Sequence, residues 1–371
     1  MQTSDLDYDL PPELIAQTPI EPRDAARLLI LRRDTGELIH RVFRDIGEFL
    51  RSGDLLIANE SRVIPARLQA RKAKTGGAVE VLLLRRLDDR TWEALVGGKR
   101  VYVGTQLEIL AAGSQRSLLL AEIVEAREGP QRVIRFDQPI EPLLGAVGVT
   151  PLPPYIHTPL TDPERYQTIY SHIPGSAAAP TAGLHFSPDL MVALRRQGVE
   201  FAFVTLHIGL DTFRPIAEKQ VEEHHIHTEW CSLSAEVARQ INEARLAGRR
   251  IVAVGTTSVR VLETAARARS LVSNVKSQMG EAAGCGWQTV SAFEGFSDLY
   301  IYPGFQFRVV DAMVTNFHLP RSTLLALVSA FAGCDLILRA YQEAIRERYR
   351  FYSFGDAMFI VGRTHDRFHT R

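Results

Sequence analysis

The stretch Arg250-Ile-Val-Ala-Val-Gly-Thr-Thr-Ser-Val-Arg260 contains a short apolar segment, a turn of small residues and a helix start in direct succession. It predicts a strand over Arg250–Val254, a turn at Gly255–Ser258 and a helix from Val259. This order is typical of an α/β domain, because the first helical N–H groups are then free at the carboxyl end of a strand. Such an end binds a phosphate or a carboxylate, although an ordinary capped helix has the same pattern.

Helical and strand patterns also alternate on the amino-terminal side of that stretch. Buried strands are predicted at Asp54–Ala58 and Glu200–Leu206, and helices at Pro188–Gln197 and Ser234–Ala247. Ser234 is a suitable N-cap, and Gly248 ends the second helix. This alternation indicates an α/β domain with at least some parallel strands.

Residues 62–140 have a different pattern. Short β-rich runs alternate there with turn signals such as Gly76-Gly77 and Gly129-Pro130, which predicts a small barrel or sandwich. The predicted fold is therefore an α/β domain, residues 1–61 and 141–371, with an inserted small antiparallel β-barrel domain, residues 62–140. The predicted barrel strands are Val79–Leu84, Thr91–Val96, Leu107–Leu110, Ser117–Val124 and Arg132–Phe136.

The formal charge of the 371 residues is zero, with 43 basic and 43 acidic side chains, which argues against a uniformly basic RNA-binding protein. The charge is unevenly distributed, however: residues 1–60 have a net charge of −5 and residues 61–136 a net charge of +6. Arg62, Arg67, Arg71 and Lys72 lie in a segment without any acid and are predicted to contact RNA phosphates. A solvated basic face, compensated by acids elsewhere, is the alternative.

Several classes of protein are disfavoured by missing features. The three cysteines, Cys231, Cys285 and Cys334, are far apart, which disfavours a disulfide framework or a cysteine-rich metal site. The cluster Glu222–Trp230 does not have the spacing of a zinc motif, so no metal site is predicted. Glycine-rich nucleotide loops and a Gly-x-Ser-x-Gly nucleophile turn are absent. Without a signal peptide or membrane segment, the protein is predicted to be cytoplasmic.

Four further motifs are candidates for a pocket. Gly175–Phe186 is rich in Gly, Ala and Pro and contains Thr181 and His185, and small residues permit close backbone approach to a ligand. In Val204–Gly209, Thr205 and His207 are predicted on one face of a strand. In Asn316–Thr323, which includes His318, Ser322 or Thr323 is a suitable N-cap for a helix that Gly333 ends. Phe351–Met358 combines clustered aromatic residues with Asp356. A satisfied structural histidine or a simple helix cap remains the alternative for these motifs.

Taken in order, these motifs resemble a known family. The segments are Asp9–Gln17, Val63–Arg67, Ala179–Phe186, Val254–Arg260, Asp311–Phe331 and Tyr349–Met358. Together they resemble the S-adenosylmethionine:tRNA ribosyltransferase-isomerases of queuosine biosynthesis, from about Asp5 to Gly362. That family has an α/β domain with an inserted β-barrel, in agreement with the fold predicted above.

The resemblance implies a reaction. The substrate is a tRNA with a GUN-type anticodon that carries 7-aminomethyl-7-deazaguanine at the wobble position. S-adenosylmethionine is a co-substrate that donates its ribosyl group, and the products are epoxyqueuosine in the tRNA, adenine and methionine. No separate cofactor and no membrane are implied, and the protein is expected to be a monomer.

The site residues follow from this reading. A neutral imidazole, of His185 or His207, is expected to take or relay a proton from the ribose C5′ position. The turn at Gly255–Ser258 is expected to bind either the methionine carboxylate or an RNA phosphate. The expected substrate-binding residues are Thr181, Thr205, Thr256, Thr257, Ser258, Arg260, Asn316, His318 and Asp356.

The sequence departs from the family pattern at Asp211, where glycine is usual, and residues 266–295 are longer than usual and are predicted to be a surface connection. A tRNA-binding protein of the same fold without catalysis is the alternative function, which the nearly complete pocket motifs disfavour. Another S-adenosylmethionine enzyme is disfavoured because the methyltransferase glycine loop and a radical-enzyme cysteine cluster are absent.

Overall fold

The computed structural model describes residues 1–209, 215–278 and 288–362, so Asp211 and Cys285 lie outside the described residues. The chain forms two compact units. The first comprises Met1–Ser61, Pro154–Ile173 and the chain from Pro180 onward, and the second comprises Arg62–Pro153 and Pro174–Ala179. The sequence pattern predicts the insertion over residues 62–140.

The elements are numbered in chain order. The strands are β1 Arg27–Arg32, β2 Leu38–Val42, β3 Leu55–Asn59, β4 Ser61–Val63, β5 Arg67–Lys72, β6 Ala78–Arg86, β7 Thr91–Gly97, β8 Gln106–Leu110, β9 Ser117–Ala126, β10 Gln131–Phe136, β11 Gly148–Val149, β12 Ile173–Ser176, β13 Glu200–Leu206, β14 Glu229–Leu233, β15 Ile251–Val254, β16 Phe293–Ser297, β17 Ala312–Asn316 and β18 Ala357–Val361. The helices are α1 Leu144–Val147, α2 Pro188–Arg196, α3 Ala235–Leu246, α4 Thr256–Gln278, α5 Thr323–Ala332 and α6 Cys334–Arg346.

The first unit is built on a nine-stranded sheet in the order β16-β14-β13-β3-β15-β17-β18-β1-β2. Its four central strands, β13, β3, β15 and β17, are parallel to one another, whereas β18 is antiparallel to β17. Strands β3, β15 and β17 are buried along their whole length, as expected of parallel strands covered on both faces. The predicted α/β domain with parallel strands is confirmed.

The helix ends follow local sequence signals. The hydroxyl of Ser234 accepts a hydrogen bond from Val237 N at the start of α3, and that of Ser322 accepts one from Leu325 N at the start of α5. Gly333, with φ +97°, ends α5 in a conformation that favours glycine. These predicted caps are confirmed.

Helix α4 corrects two sequence predictions. It begins at Thr256 rather than Val259, and it continues to Gln278, so residues 266–278 are helical and not a surface connection. The helical periodicity of apolar residues is weak over residues 266–278, because few of them are large and apolar. The helix is stabilised instead by its first turns, where Val259, Val261 and Leu262 are fully buried.

The second unit contains a closed six-stranded antiparallel barrel in the order β5-β6-β7-β10-β9-β8, and β8 pairs back with β5. The inserted β-barrel is therefore confirmed. Sequence analysis missed one of its strands, β5, since the alternation of buried and exposed residues in Arg67–Lys72 includes several basic side chains.

Among the described residues, no single helix is long and apolar enough to cross a membrane. The pair α5 and α6 reaches the required length and hydropathy only together, across a bend of 113°.

Candidate active site

The carboxyl ends of the central parallel strands bring the separated motifs to one edge of the sheet. Strand β3 ends at Asn59, β13 at Leu206, β15 at Val254 and β17 at Asn316. In an open α/β sheet this edge is where ligands bind. Asn59 ties two of these ends together, because its amide donates to Leu206 O at 3.0 Å and accepts from Leu206 N at 3.1 Å.

Two further segments reach the same edge. Strand β18 begins opposite the end of β17, with Ala357 paired to Asn316. Gly355 and Asp356, which precede β18, therefore lie at this edge of the sheet. The hydroxyl of Thr181 donates to Asn316 Oδ1 at 2.9 Å, which places the turn Thr181–His185 beside β17. The structure therefore collects residues from all the pocket motifs that the sequence singled out.

The turn after β15 presents a helix start with an unused hydroxyl. Gly255 has φ +87° and donates its N–H to Val314 O at 2.8 Å, which permits a sharp entry into α4. The hydroxyl of Ser258 donates to Val254 O at 2.8 Å. The Thr257 hydroxyl is buried, with the residue 9% exposed, and has no hydrogen-bond partner within the described chain. An orphaned hydroxyl beside free helical N–H groups is suited to bind an anion.

His207 lies one residue beyond β13 and stacks on Trp230, with ring centroids 5.1 Å apart and an angle of 19° between the planes. Its backbone N–H donates to Trp230 O at 3.0 Å. Its Nδ1 is buried and has no hydrogen-bond partner among the residues described. Burial lowers the pKa of His207 to about 4, so the ring is neutral at pH 7 and able to accept a proton.

His185 has a different environment. Its Nδ1 lies 3.1 Å from Ala182 O and its Nε2 lies 3.0 Å from Gly355 O. The ring stacks on Phe43 at 5.0 Å, and burial lowers its pKa. Because both nitrogens face backbone carbonyl groups, His185 joins its turn to Gly355. Of the two histidines, only His207 therefore has a ring nitrogen without a hydrogen-bond partner in the part of the chain that the structure describes.

Glu60 is a candidate residue that sequence analysis did not select. The hydroxyl of Thr205 donates to Glu60 Oε1 at 3.4 Å, and His172 Nδ1 lies 3.4 Å from Glu60 Oε2. Burial raises the pKa of this half-buried carboxyl. Its signal in the sequence is a carboxylate directly after the buried strand β3.

Arg260 is held inside the protein. Its guanidinium forms a buried ion pair with Glu229 and donates to Leu299 O at 3.3 Å and Ser297 O at 3.4 Å. The other oxygen of Glu229 accepts from Gly209 N at 2.8 Å. Arg260 thus positions the segment that follows His207, and its donors point to groups of the protein.

Three other predicted contact residues are also engaged internally. His318 Nε2 lies 2.7 Å from the Thr315 hydroxyl. Asp356 accepts from Arg27 N at 2.8 Å and from Arg350 N at 2.7 Å. Asn316, besides its bond to Thr181, donates to Tyr352 O at 3.2 Å. These hydrogen bonds hold together the segments at the carboxyl edge of the sheet. Thr256 is buried at the start of α4, beside Thr257.

Three of the predicted RNA-contacting cations lie on the barrel strand β5, and two of them have acidic neighbours. Arg67 Nε is 3.9 Å from Glu80, and Arg71 Nη2 is 2.6 Å from Glu108. Lys72 Nζ donates to Arg100 O at 2.9 Å, and Arg62 lies on β4. The positive charge of β5 is therefore partly compensated within the barrel.

No group of three His, Cys, Asp or Glu side chains suited to hold a metal ion occurs in residues 1–209, 215–278 and 288–362.

The buried histidines make stability depend on pH. Burial lowers the pKa of His318 to about 3, whereas an unfolded histidine titrates near 6.5. Between about pH 6.5 and pH 4 the unfolded chain binds a proton that the folded chain does not, so the free energy of unfolding falls as pH falls. We expect His318→Gln to reduce this slope by about 1.4 kcal/mol per pH unit, measured by denaturant unfolding at several pH values.

The exposed His157 provides the control for that experiment. His157→Gln measures how the same substitution at an exposed position affects the slope. An identical slope in wild type and His318→Gln would contradict a neutral buried His318.

Comparison with known proteins identifies the family. Residues 3–360 match the family model described as queuosine biosynthesis protein. The chain is 52% identical over 364 residues to the S-adenosylmethionine:tRNA ribosyltransferase-isomerase of Symbiobacterium thermophilum, covering 97% of this chain and 100% of that protein. It is 51% identical over the same length to that of Carboxydothermus hydrogenoformans, with the same coverage.

A solved structure agrees with these relatives. The crystal structure of the S-adenosylmethionine tRNA ribosyltransferase from Thermotoga maritima is 41% identical, with a TM-score of 0.52, covering 96% of this chain and 100% of that chain. With separated motifs converging at one sheet edge and a match over nearly its whole length, this chain belongs to the S-adenosylmethionine:tRNA ribosyltransferase-isomerase family of queuosine biosynthesis.

Proposed function

We propose that this protein transfers and isomerises the ribosyl group of S-adenosylmethionine onto 7-aminomethyl-7-deazaguanine in tRNA. The products are epoxyqueuosine in the tRNA, adenine and methionine. Family membership supports the reaction class. The observation that carries the proposal within the chain is the convergence of Asn59, His207, the Gly255–Ser258 turn and Asn316 at one edge of the sheet.

The start of α4 is the proposed site of the methionine carboxylate. A carboxylate there would accept hydrogen bonds from free helical N–H groups and from the Thr257 hydroxyl, which has no partner in residues 1–209, 215–278 and 288–362. The helix dipole favours the negative charge in addition. An RNA phosphate is the other anion that this turn could accept.

His207 is the proposed base. The positive sulfonium acidifies the neighbouring C5′–H bond of the ribose, and His207 takes that proton to leave an ylide. Its electron pair drives opening of the ribose ring and expulsion of adenine. Adenine leaves with a proton, and the opened sugar is a C1′ aldehyde with a vinyl sulfonium at C4′ and C5′. The aminomethyl nitrogen adds to C4′ and loses a proton, which leaves an ylide at C5′ that attacks C1′ and closes the five-carbon ring. The alkoxide formed at C1′ then displaces methionine from C5′ to give the epoxide. Glu60, hydrogen-bonded to Thr205, would accept hydrogen bonds from ribose hydroxyls.

S-adenosylmethionine acts as a co-substrate, and no separate cofactor or metal takes part. The RNA substrate has a GUN-type anticodon with the modified wobble base, and a single chain carries out the reaction.

One experiment tests the activity. The protein is incubated with S-adenosylmethionine and tRNA carrying the aminomethyl base, and the digested nucleosides are analysed by mass spectrometry. Adenine release together with an epoxycyclopentanediol-bearing base supports the proposal. Tight tRNA binding without either product would instead support a non-catalytic tRNA-binding protein.

Thr257→Val tests the carboxylate site. Valine has nearly the shape of threonine and lacks the hydroxyl, so the variant should be at least as stable as wild type, because an unsatisfied buried hydroxyl is costly. The KM for S-adenosylmethionine should rise about 10-fold, the effect of about 1.4 kcal/mol of lost binding. A raised KM for tRNA with an unchanged KM for S-adenosylmethionine would assign the turn to a phosphate.

A further inference from the structure

One end of the barrel has a basic surface with an exposed aromatic ring. We propose that this surface binds tRNA, with Tyr102 stacking on an unpaired base and the neighbouring cations contacting phosphates. It is called the Tyr102 patch and consists of Lys72, Lys74, Lys99, Arg100 and Tyr102. The inference rests on the proposed function, since it takes tRNA to be the substrate.

The topology places two loops at the same end of the barrel. Residues 73–77 connect β5 to β6, and residues 98–105 connect β7 to β8. Because β5 is antiparallel to β6 and β8, and β6 to β7, both connections leave from one rim. Lys72 Nζ joins the loops by donating to the carbonyls of Lys99 and Arg100, at 2.9 Å for the latter.

The charged side chains of the two loops, and of Lys72 at the end of β5, are all basic. Residues 72–77 and 97–105 contain four cations and no Asp or Glu. Lys74, Lys99 and Arg100 are exposed. None of the four cations forms an ion pair among the described residues. Unlike Arg67 and Arg71, the exposed Lys74, Lys99 and Arg100 remain available to phosphates.

The third hairpin at this end limits the basic surface. Residues 127–130 contain Arg127, which pairs with Glu125 at 3.0 Å and with Glu93, and the exposed Glu128. The patch is therefore confined to the other two loops.

Tyr102 is 66% exposed, more than any other large hydrophobic side chain in the described chain. Its backbone is nevertheless fixed. Tyr102 N donates to the Thr105 hydroxyl at 3.0 Å, and Thr105 N donates to Tyr102 O at 3.0 Å. Two residues earlier, Arg100 has φ +57°, an unusual conformation for a residue with a side chain. An aromatic side chain on a fixed turn loses little entropy when a base stacks on it.

This combination fits RNA. Proteins recognise unpaired bases by stacking them on aromatic rings while neighbouring cations follow the backbone. A tRNA presents unpaired bases in its loops beside closely spaced phosphates. An acidic protein surface would use the cations but not the exposed ring face.

Two sets of variants test the patch. Tyr102→Ala should raise the Kd and the KM for tRNA about 10-fold, with kcat and the KM for S-adenosylmethionine unchanged, because stacking is lost. Tyr102→Phe should bind tRNA like wild type, since the ring is retained. Lys99→Ala combined with Arg100→Ala should reduce the slope of log Kd against log salt by about 1–2.

Leu87→Ala and Arg90→Ala are the matched controls, because both residues lie in the hairpin at the opposite end of the barrel. They should leave tRNA binding unchanged. Wild-type Kd, KM and salt slope in both the Tyr102→Ala and the double variant would overturn the proposal. A second result would also overturn it: Tyr102→Ala converts an oligomer of this protein into monomers while tRNA binding stays unchanged. The patch would then be a contact between copies of the protein.

The readouts separate this inference from the proposed function. Direct tRNA binding, measured by fluorescence anisotropy without S-adenosylmethionine, tests the patch even if no adenine is released. Normal turnover with unaffected tRNA binding in every variant would refute the patch alone.

Discussion

Replacing His207 by alanine is expected to lower kcat for adenine release by about 10²–10⁴-fold, the usual contribution of a positioned general base. The KM values for both substrates should change little, because the ring acts on the reacting proton. His207 is neutral at pH 7, since burial lowers its pKa to about 4. Single-turnover adenine release with saturating S-adenosylmethionine and modified tRNA measures the effect.

Added imidazole distinguishes a base from a structural ring. If His207 takes the proton, free imidazole should restore part of the activity of His207→Ala, because the variant leaves a space beside Trp230. His157→Ala, at an exposed position, should keep wild-type activity. Near-normal turnover of His207→Ala with both substrates bound would contradict the assignment.

His185→Ala should behave differently. It removes contacts to Ala182 O and Gly355 O and the stacking on Phe43, so we expect lower stability and no rescue by imidazole. Rescue of His185→Ala, with none for His207→Ala, would transfer the role of base to His185.

Asp54→Ala is expected to lower the free energy of unfolding by about 3–5 kcal/mol, the cost of leaving one member of a buried ion pair without its partner. Arg250 Nε donates to Asp54 Oδ1 at 2.8 Å, and the side chains are only 7% and 3% exposed. The pair joins the starts of β15 and β3, where Leu55 N also donates to Arg250 O at 2.9 Å. Denaturant unfolding of the full chain measures the loss.

An adjacent pair provides the control. Arg249 Nη1 lies 2.6 Å from Glu200 Oε1, but these side chains are 26% and 53% exposed. Glu200→Ala should therefore cost less than about 1 kcal/mol. The double variant Asp54→Leu with Arg250→Met should be more stable than Asp54→Ala, because no unpaired charge is buried. Equal losses in Asp54→Ala and Glu200→Ala would contradict the argument.

Much of the fold follows from local sequence. These features depend only on residues a few positions away in the sequence, so they could be predicted. They are the periodicity of strands and helices, the N-caps at Ser234 and Ser322 and the helix-ending Gly333. Residues 266–278 and β5 could not, since α4 is stabilised by burial of its first turns and β5 by pairing with β6 and β8. Both depend on tertiary contacts, such as the pairing of β5 with β8.

The sequence by itself determined the α/β class, the inserted barrel, the family motifs and the residues that could act. Only the tertiary structure decided which of those side chains keep an unused polar atom. Arg260, His185 and Asp356 meet protein groups from distant segments, whereas His207 Nδ1 and the Thr257 hydroxyl do not, among the described residues. The reason is physical: a buried polar atom is available to a ligand only if no folded neighbour reaches it, and neighbours are set by how strands assemble.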